Sequence, residues 1–363
     1  MQSFITIILF IVLSGSMTLP AAEVHASSSG GSADTESSTE ASTEADNGST
    51  AYPSYRLVGF MEQQFTRDDQ SDDPAAFQIY RARFGLAGSV TDRISLNVVA
   101  GAVEPPDRTP RLVNAVVDFD IHPMLQLRTG QFLVPFGLEG PEPIFFNPAI
   151  ERSTAIRRMN TFSMFRDIGI QASGSHNRFS YAAALVNGSG ANRPAWSEPS
   201  HLVGRIGYTV RDNLTLGGSV HYGDHHYEAV PEDRSTGEYD RIQFGTDLTW
   251  RINALLLRGE YIYRHDELPA PDGQSTYGWN QHGGYLLAGY DITDNWQGIL
   301  RFEAHQPDTG GDFEDNGFST LTAGVNYYLD RQTRLSVNYE IRDDRRPGFD
   351  PGNLLTVQMQ LVL

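Results

Sequence analysis

The 363-residue chain contains no cysteine and no lysine. Without cysteine there is no disulfide staple, so the fold has to satisfy its backbone polar groups by other means. Without lysine all 27 basic residues are arginine, against 45 acidic ones, and the formal net charge of −18 excludes a nucleic-acid partner. After the amino-terminal stretch no run reaches the ~18 apolar residues of a helical membrane span. If the chain enters a membrane, helices do not put it there. No Gly-rich phosphate loop, HExxH or GxSxG motif occurs, so no cofactor and no enzymatic activity is expected.

What is present begins with a secretory pattern. An apolar run from Phe4 to Leu13 is followed by small residues and by Val24-His25-Ala26 before Ser27. This predicts a signal peptide over 1–26, although its leading segment carries no Arg or Lys. Residues 27–54 are mostly Ser, Thr, Ala and Gly, with Asp34, Glu36, Glu40, Glu44 and Asp46. Such a stretch cannot bury enough apolar surface to offset its ordering entropy, and reads as a disordered acidic linker.

From 55 to 363 the hydropathy has period two, the strand signal. In 334–342, Leu335, Val337, Tyr339 and Ile341 form one face; Arg334, Ser336, Asn338, Glu340 and Arg342 form the other. About sixteen such segments follow one another, each roughly ten residues long. Their connections alternate between short and long. The short ones share Val90-Thr91-Asp92-Arg93-Ile94, Val210-Arg211-Asp212-Asn213-Leu214 and Ile292-Thr293-Asp294-Asn295-Trp296, where Asp and Asn are expected to close the turns. The long ones include 133–165, 224–238 and 265–280. Tight turns at one end and long loops at the other predict an all-β, antiparallel, up-and-down transmembrane barrel of about 16 strands in the cell outer membrane. Aromatics near strand ends, such as Tyr222, Trp250, Tyr263, Trp296 and Tyr327, suit the headgroup level.

Placing each polar face inward predicts a lumen lined by Arg81, Arg83, Arg128, Arg205, Arg241, Arg258 and Arg301, with Asp118 and Asp120 among the acids. Charged walls of this kind set ion selectivity. The third long loop, 133–165, exceeds ordinary loop lengths. It carries apolar anchors (Phe136, Phe145, Phe146, Ile156) beside Glu139, Glu142, Glu151, Arg152, Arg157 and Arg158. A loop with that composition is expected to fold into the barrel and place those six charges at a constriction. The outer loops are acidic: Asp68, Asp69, Asp72 and Asp73 in the first, Asp224, Glu228, Glu232, Asp233 and Glu238 in the fifth, Asp308, Asp312, Glu314 and Asp315 in the seventh. They suit solubility or cation-bridged contact with lipopolysaccharide. His221, Asp224, His225 and His226 have metal-ligand chemistry, but no second cluster accompanies them, and no metal site is expected.

Gly130-Gln131-Phe132-Leu133-Val134-Pro135-Phe136-Gly137-Leu138-Glu139 resembles the strand-to-loop motif of the phosphate-selective porin O/P family. Phe165-Arg166-Asp167-Ile168-Gly169-Ile170-Gln171 is similar to that family's strand after the constriction loop. The specific motifs cover 130–171. The resemblance implies a passive, homotrimeric diffusion channel for small ions or solutes, phosphate among them, with an internal third loop. Two features depart from the pattern: lysine is absent, and the last residue is Leu363 rather than an aromatic. The rival expectations are a structural or adhesive barrel without an open channel and an outer-membrane lipid hydrolase.

Overall fold

A computed structural model describes residues 52–71, 75–193, 200–227, 237–269, 276–307, 317–345 and 351–363. The signal segment, nearly all of the linker, and the outer-loop acids Asp72, Asp73, Glu228, Glu232, Asp233, Asp308, Asp312, Glu314 and Asp315 lie outside the described residues. Sixteen strands run in chain order: β1 (Ser54–Asp68), β2 (Ala76–Ser89), β3 (Ile94–Val103), β4 (Arg111–His122), β5 (Leu125–Leu133), β6 (Arg166–His176), β7 (Phe179–Val186), β8 (His201–Arg211), β9 (Leu214–Tyr227), β10 (Gly237–Ile252), β11 (Leu255–Pro269), β12 (Thr276–Asp291), β13 (Trp296–Gln306), β14 (Phe318–Tyr328), β15 (Thr333–Asp344) and β16 (Gly352–Val362). Each pairs antiparallel with its neighbours, and β1 pairs with β16, for example Phe60 with Val362, so the barrel closes. Closure leaves no sheet edge, which answers how a chain without disulfides satisfies its backbone in lipid. Among the described residues no helix is long and apolar enough to cross a membrane; the strands do so.

The period-two alternation becomes an inside and an outside. Leu57, Ile206, Leu286 and Phe302 point outward and are 79%, 64%, 66% and 52% exposed, as lipid-facing side chains must be without lipid around them. Trp296 and Tyr327 pack 4.7 Å apart at the short-turn end. Tyr263 donates to Asn280 at 2.7 Å towards the other end. Aromatics at these two levels match where such barrels place their aromatic girdles.

The short turns form where expected, but two close differently. In the turns after β2 and β12 the acceptor is threonine: Thr91 Oγ1 accepts from the amides of Arg93 and Ile94, and Thr293 Oγ1 from those of Asn295 and Trp296. The hydroxyl reaches the turn's own backbone, and Asp92 and Asp294 stay outside it. Asp330 does fill the expected role after β14, accepting from Gln332 and Thr333. At the loop end β9 to β12 run further than the alternation suggested. Asp224, His225 and His226 lie on β9, paired with Asp240, Tyr239 and Glu238, not in a loop.

Candidate pore and its third loop

The third loop, 134–165, leaves β5 and returns at β6 through a neck where the Val134 amide donates to Phe165 O at 2.9 Å. Several positions of the string 130–139 at this neck have a local reason. Gly130 has φ of 110°, and a Cβ there would meet Ala115 O at 1.9 Å. Phe132 and Val134 are buried, at 1% and 2% exposure. Gly137 has φ of 74°, and a Cβ would sit 1.9 Å from the Glu260 carboxylate. Only glycine lets the chain pass so close to that wall in the left-handed region. Gln131 points the other way, outward, and accepts from the Asn192 amide at 2.7 Å, tying the fourth loop over the rim.

Inside the barrel the loop is fastened wherever its backbone passes a polar wall residue. Ser219 of β9 accepts from Gly137, and Glu260 of β11 accepts from the Glu139 amide, both at 3.0 Å. Gln360, Arg334 and Asn326 donate to the carbonyls of Phe145, Asn147 and Pro148. Arg301 donates to Glu151 O at 2.7 Å. A short helix, α1 (Thr154–Met159), starts at Ser153, whose side chain accepts from the Ile156 amide. The Glu303 carboxylate accepts from the first helical amide, Thr154 N, at 3.0 and 3.2 Å, where a negative charge suits the helix start. Each of these bonds satisfies a backbone group that would otherwise be buried unpaired.

The loop also carries an apolar core. Phe136, Ala149, Ile156, Met159 and Phe162 join Val116, Ala184 and Val203 of one wall and Ile262, Tyr285, Leu287 and Ile299 of the other in one buried cluster. At the level of the loop this apolar cluster joins the two walls. Towards the short-turn end the lumen opens into a cavity of about 560 Å³, lined in part by Asp120, Gln126, Ser173, Ser175, Ser180 and Arg205.

The six loop charges have different positions. Glu139 is buried inside the loop, accepting from Asn147 Nδ2 at 3.0 Å and from Ser153 N at 2.8 Å; burial raises its pKa. Arg152 is buried beside it, donating to the carbonyls of Glu139 and Glu142 and lying 4.5 Å over the Phe165 ring. Burial lowers its pKa to about 10, so it remains a cation at neutral pH, but it braces the loop and does not face open water. Glu142 accepts from Arg258 at 2.8 Å. Glu151 takes two bonds from Arg81, at 2.7 and 3.0 Å. Arg158 lies 3.6 Å from Asp344 and over the Phe318 ring. Arg157 is exposed, donating to Thr154 Oγ1. The expectation that Arg152, Arg157 and Arg158 share one narrow point is thus met by three separate environments, because helix geometry turns 157 and 158 apart and Arg152 precedes the helix.

The wall arginines face inward and meet carboxylates: Arg81 with Glu62, Arg83 with Glu104, Arg128 with Asp118, Arg205 with Asp247, Arg241 with Asp266, Arg301 with Glu303. Arg258 reaches Glu142, as above. Asp120 accepts from Gln126 at 3.0 Å. Sequence reasoning missed Glu104, which lies just past β3, and the neutral anchors Ser219, Gln243, Asn326 and Gln360. Strand parity places those four inward, but neutral amides and hydroxyls give no charge signal to single them out. His221 does not gather a metal cluster with Asp224; its ring bonds to His201 and Gln243. The side chains of His225 and His226 lie outside the described residues.

Among solved structures the chain is similar in fold to OmpT, an outer membrane protein of Vibrio cholerae, with a TM-score of 0.66 at 11% identity, covering 85% of this chain and 97% of that one. The outer membrane channel DcaP of Acinetobacter baumannii gives 0.66 at 14% identity over the same shares. An anion-selective porin from Comamonas acidovorans gives 0.62 at 12%, covering 85% and 99%. A comparison with curated proteins finds no match. Residues 106–362 match the family model described as "Putative beta-barrel porin-2, OmpL-like". With that match spanning most of a closed sixteen-stranded barrel, the chain belongs to the OmpL-like beta-barrel porin family of the outer membrane.

Proposed function

We propose that this barrel is a passive diffusion channel for small hydrophilic solutes and ions, with loop 134–165 as its constriction and a weak preference for anions. The observation that carries the reading is the polar, charged inner face of the strands, which opens into the hydroxyl- and charge-lined cavity at the short-turn end. Weak selectivity follows from pairing. A guanidinium bonded to a carboxylate contributes little net field to a passing ion, and most wall arginines are so bonded. Arg157 differs: it is exposed on the loop and donates to a hydroxyl, with Glu151 and Glu340 in Coulomb range but not bonded to it. It supplies the anion bias in this reading. The resemblance of 130–171 to phosphate channels supports phosphate as one solute among others, not as a captured ligand. The neighbour described as an anion-selective porin supports the same direction only through its fold.

The reading is of a channel without catalytic chemistry. It includes a homotrimer, as one OmpT structure is described as a trimer form, and rim carboxylates in contact with lipopolysaccharide. Planar-bilayer recording tests it: steps in current, with a reversal potential displaced slightly towards anions in unequal salt. One observation favours the rival, a structural barrel closed by its own loop: the apolar cluster joining both walls. That barrel gives no steps.

A further inference from the structure

One group of titratable side chains in the lumen has no part in the channel reading. His201 of β8 and His221 of β9 are buried, at 4% and 0% exposure, with rings stacked at 5.1 Å. His201 Nδ1 and His221 Nε2 are 2.9 Å apart, and His221 Nδ1 is 2.8 Å from Gln243 Oε1. Gln243 Nε2 donates to Met159 O at 2.7 Å, and Thr161 donates to Gln243 Oε1, also at 2.7 Å. Phe162 packs on both imidazoles, at 5.1 and 5.9 Å, and Phe136 on His221 at 6.3 Å. The chain of contacts therefore ends on residues 159–162, the arm by which the third loop returns to β6.

We propose that His201 and His221 are a proton-operated latch: neutral His221 holds the 159–162 arm of the third loop docked, and a proton added to His221 releases it.

The hydrogen-bond directions leave little choice. Gln243 Nε2 faces a carbonyl, so its Oε1 is the atom turned towards His221 and must accept from His221 Nδ1–H. The one acceptor left on His221 is Nε2, and it takes the proton of His201 Nδ1. Protonating Nε2 removes that acceptor and sets two N–H groups against each other at 2.9 Å. The surroundings do not absorb the new charge. Arg241 lies in Coulomb range of both rings and within 3.4 Å of Thr161 Oγ1. Asp266, across on β11, is in Coulomb range of His221, but its charge is already matched by Arg241 and Arg264. Asp224 of β9 lies beside His201 rather than His221, with its backbone hydrogen-bonded to the His201 ring and its carboxylate in Coulomb range of it. Loop 134–165 contributes Phe136, Met159, Thr161 and Phe162 and no carboxylate, and on the fourth loop Gly188 leaves room for the His201 ring. A charged His221 thus meets a cation and aromatic rings, and the state that relieves it is the one with the arm undocked.

The docked form binds fewer protons, so it loses stability as pH falls. An undocked imidazole titrates near the ordinary value of about 6.5, which places release below that pH. If the channel reading above holds, acidification also alters conductance; the latch itself is read without current.

The cysteine-free chain allows a single nitroxide label at Arg157→Cys on α1, one turn before the arm. Proton occupancy of an ordinary imidazole rises roughly tenfold between pH 7.5 and 5.0. The mobile component of the label's spectrum is expected to rise several-fold over that range, reversibly, and to stay at its pH 7.5 level in a His201→Gln/His221→Gln background. Glutamine keeps neutral donors and acceptors but takes no proton. An unchanged spectrum in the labelled protein with both histidines overturns the latch, and needs neither glutamine substitution to fold. An equal pH response in the double glutamine variant, with its heat-shifted gel band intact, overturns it as well. A barrel that passes no current at either pH contradicts the channel reading alone, because the label still reports the arm.

Discussion

Arg81 on β2 grips Glu151 of the third loop with both terminal nitrogens, at 2.7 and 3.0 Å, while one of them also reaches Glu62 of β1 at 2.5 Å. One guanidinium thus joins two neighbouring strands to the loop that crosses the lumen. Glu62 is fully buried. Replacing Arg81 by alanine leaves two carboxylates without their shared cation, and removing one partner of a buried pair costs about 3–5 kcal/mol. The Arg81→Ala barrel is expected to lose its heat-resistant gel mobility at a lower temperature than the parent. An unaltered transition would show that the pair does not hold the loop.

Gly137 makes a second, sharper test of the docked loop. Its φ of 74° and the Glu260 carboxylate 1.9 Å from a would-be Cβ leave no room for a side chain. Gly137→Val is expected to displace the start of the loop from Glu260 and Ser219, changing single-channel conductance while the barrel still assembles. Conductance equal to the parent's would mean that this end of the loop does not shape the path.

The inside and outside of the strands are tested by a pair of arginines. Val337 faces outward and Gln126 lines the cavity near Asp120. Arginine on the lipid face near mid-membrane costs about 2–4 kcal/mol, so Val337→Arg should lower the yield of assembled barrel. Gln126→Arg, set beside a carboxylate, should assemble normally. Equal yields would reverse the assignment of faces.

The segment before the barrel has a separate expectation. Residues 30–50 are polar and acidic with nothing to pack, so their deletion is expected to leave thermal stability and conductance unchanged. A loss of either would assign that segment a place in the lumen.

Strand number, closure and facing were legible in the sequence because a period of two leaves one choice once a single face is known to be apolar. Arg205 and Leu202 fall on opposite faces by counting alone. The length and apolar anchors of 133–165 likewise announced an internal loop. The partners were not legible. Arg81 and Glu151 are 70 residues apart, and Arg301 and Glu151 are 150 apart; only the closed barrel brings them together. Arg152 looked like a pore charge because sequence cannot show that the carbonyls of Glu139 and Glu142 surround it. The strand extensions of β9 to β12 were missed because polar, histidine-rich residues beyond the membrane carry no alternation to follow.

Selectivity gives the most direct test of the channel. Planar-bilayer recording in unequal salt reads both the channel and its bias. Discrete current steps with a small anion preference are expected, and a shift of the reversal potential towards cations in Arg157→Glu. Arg152→Ser, by contrast, should act mainly through loop stability, since its charge faces backbone carbonyls. Absence of steps from a folded, membrane-inserted barrel would contradict the channel, and a reversal potential that ignores Arg157→Glu would contradict the place given to that residue in it.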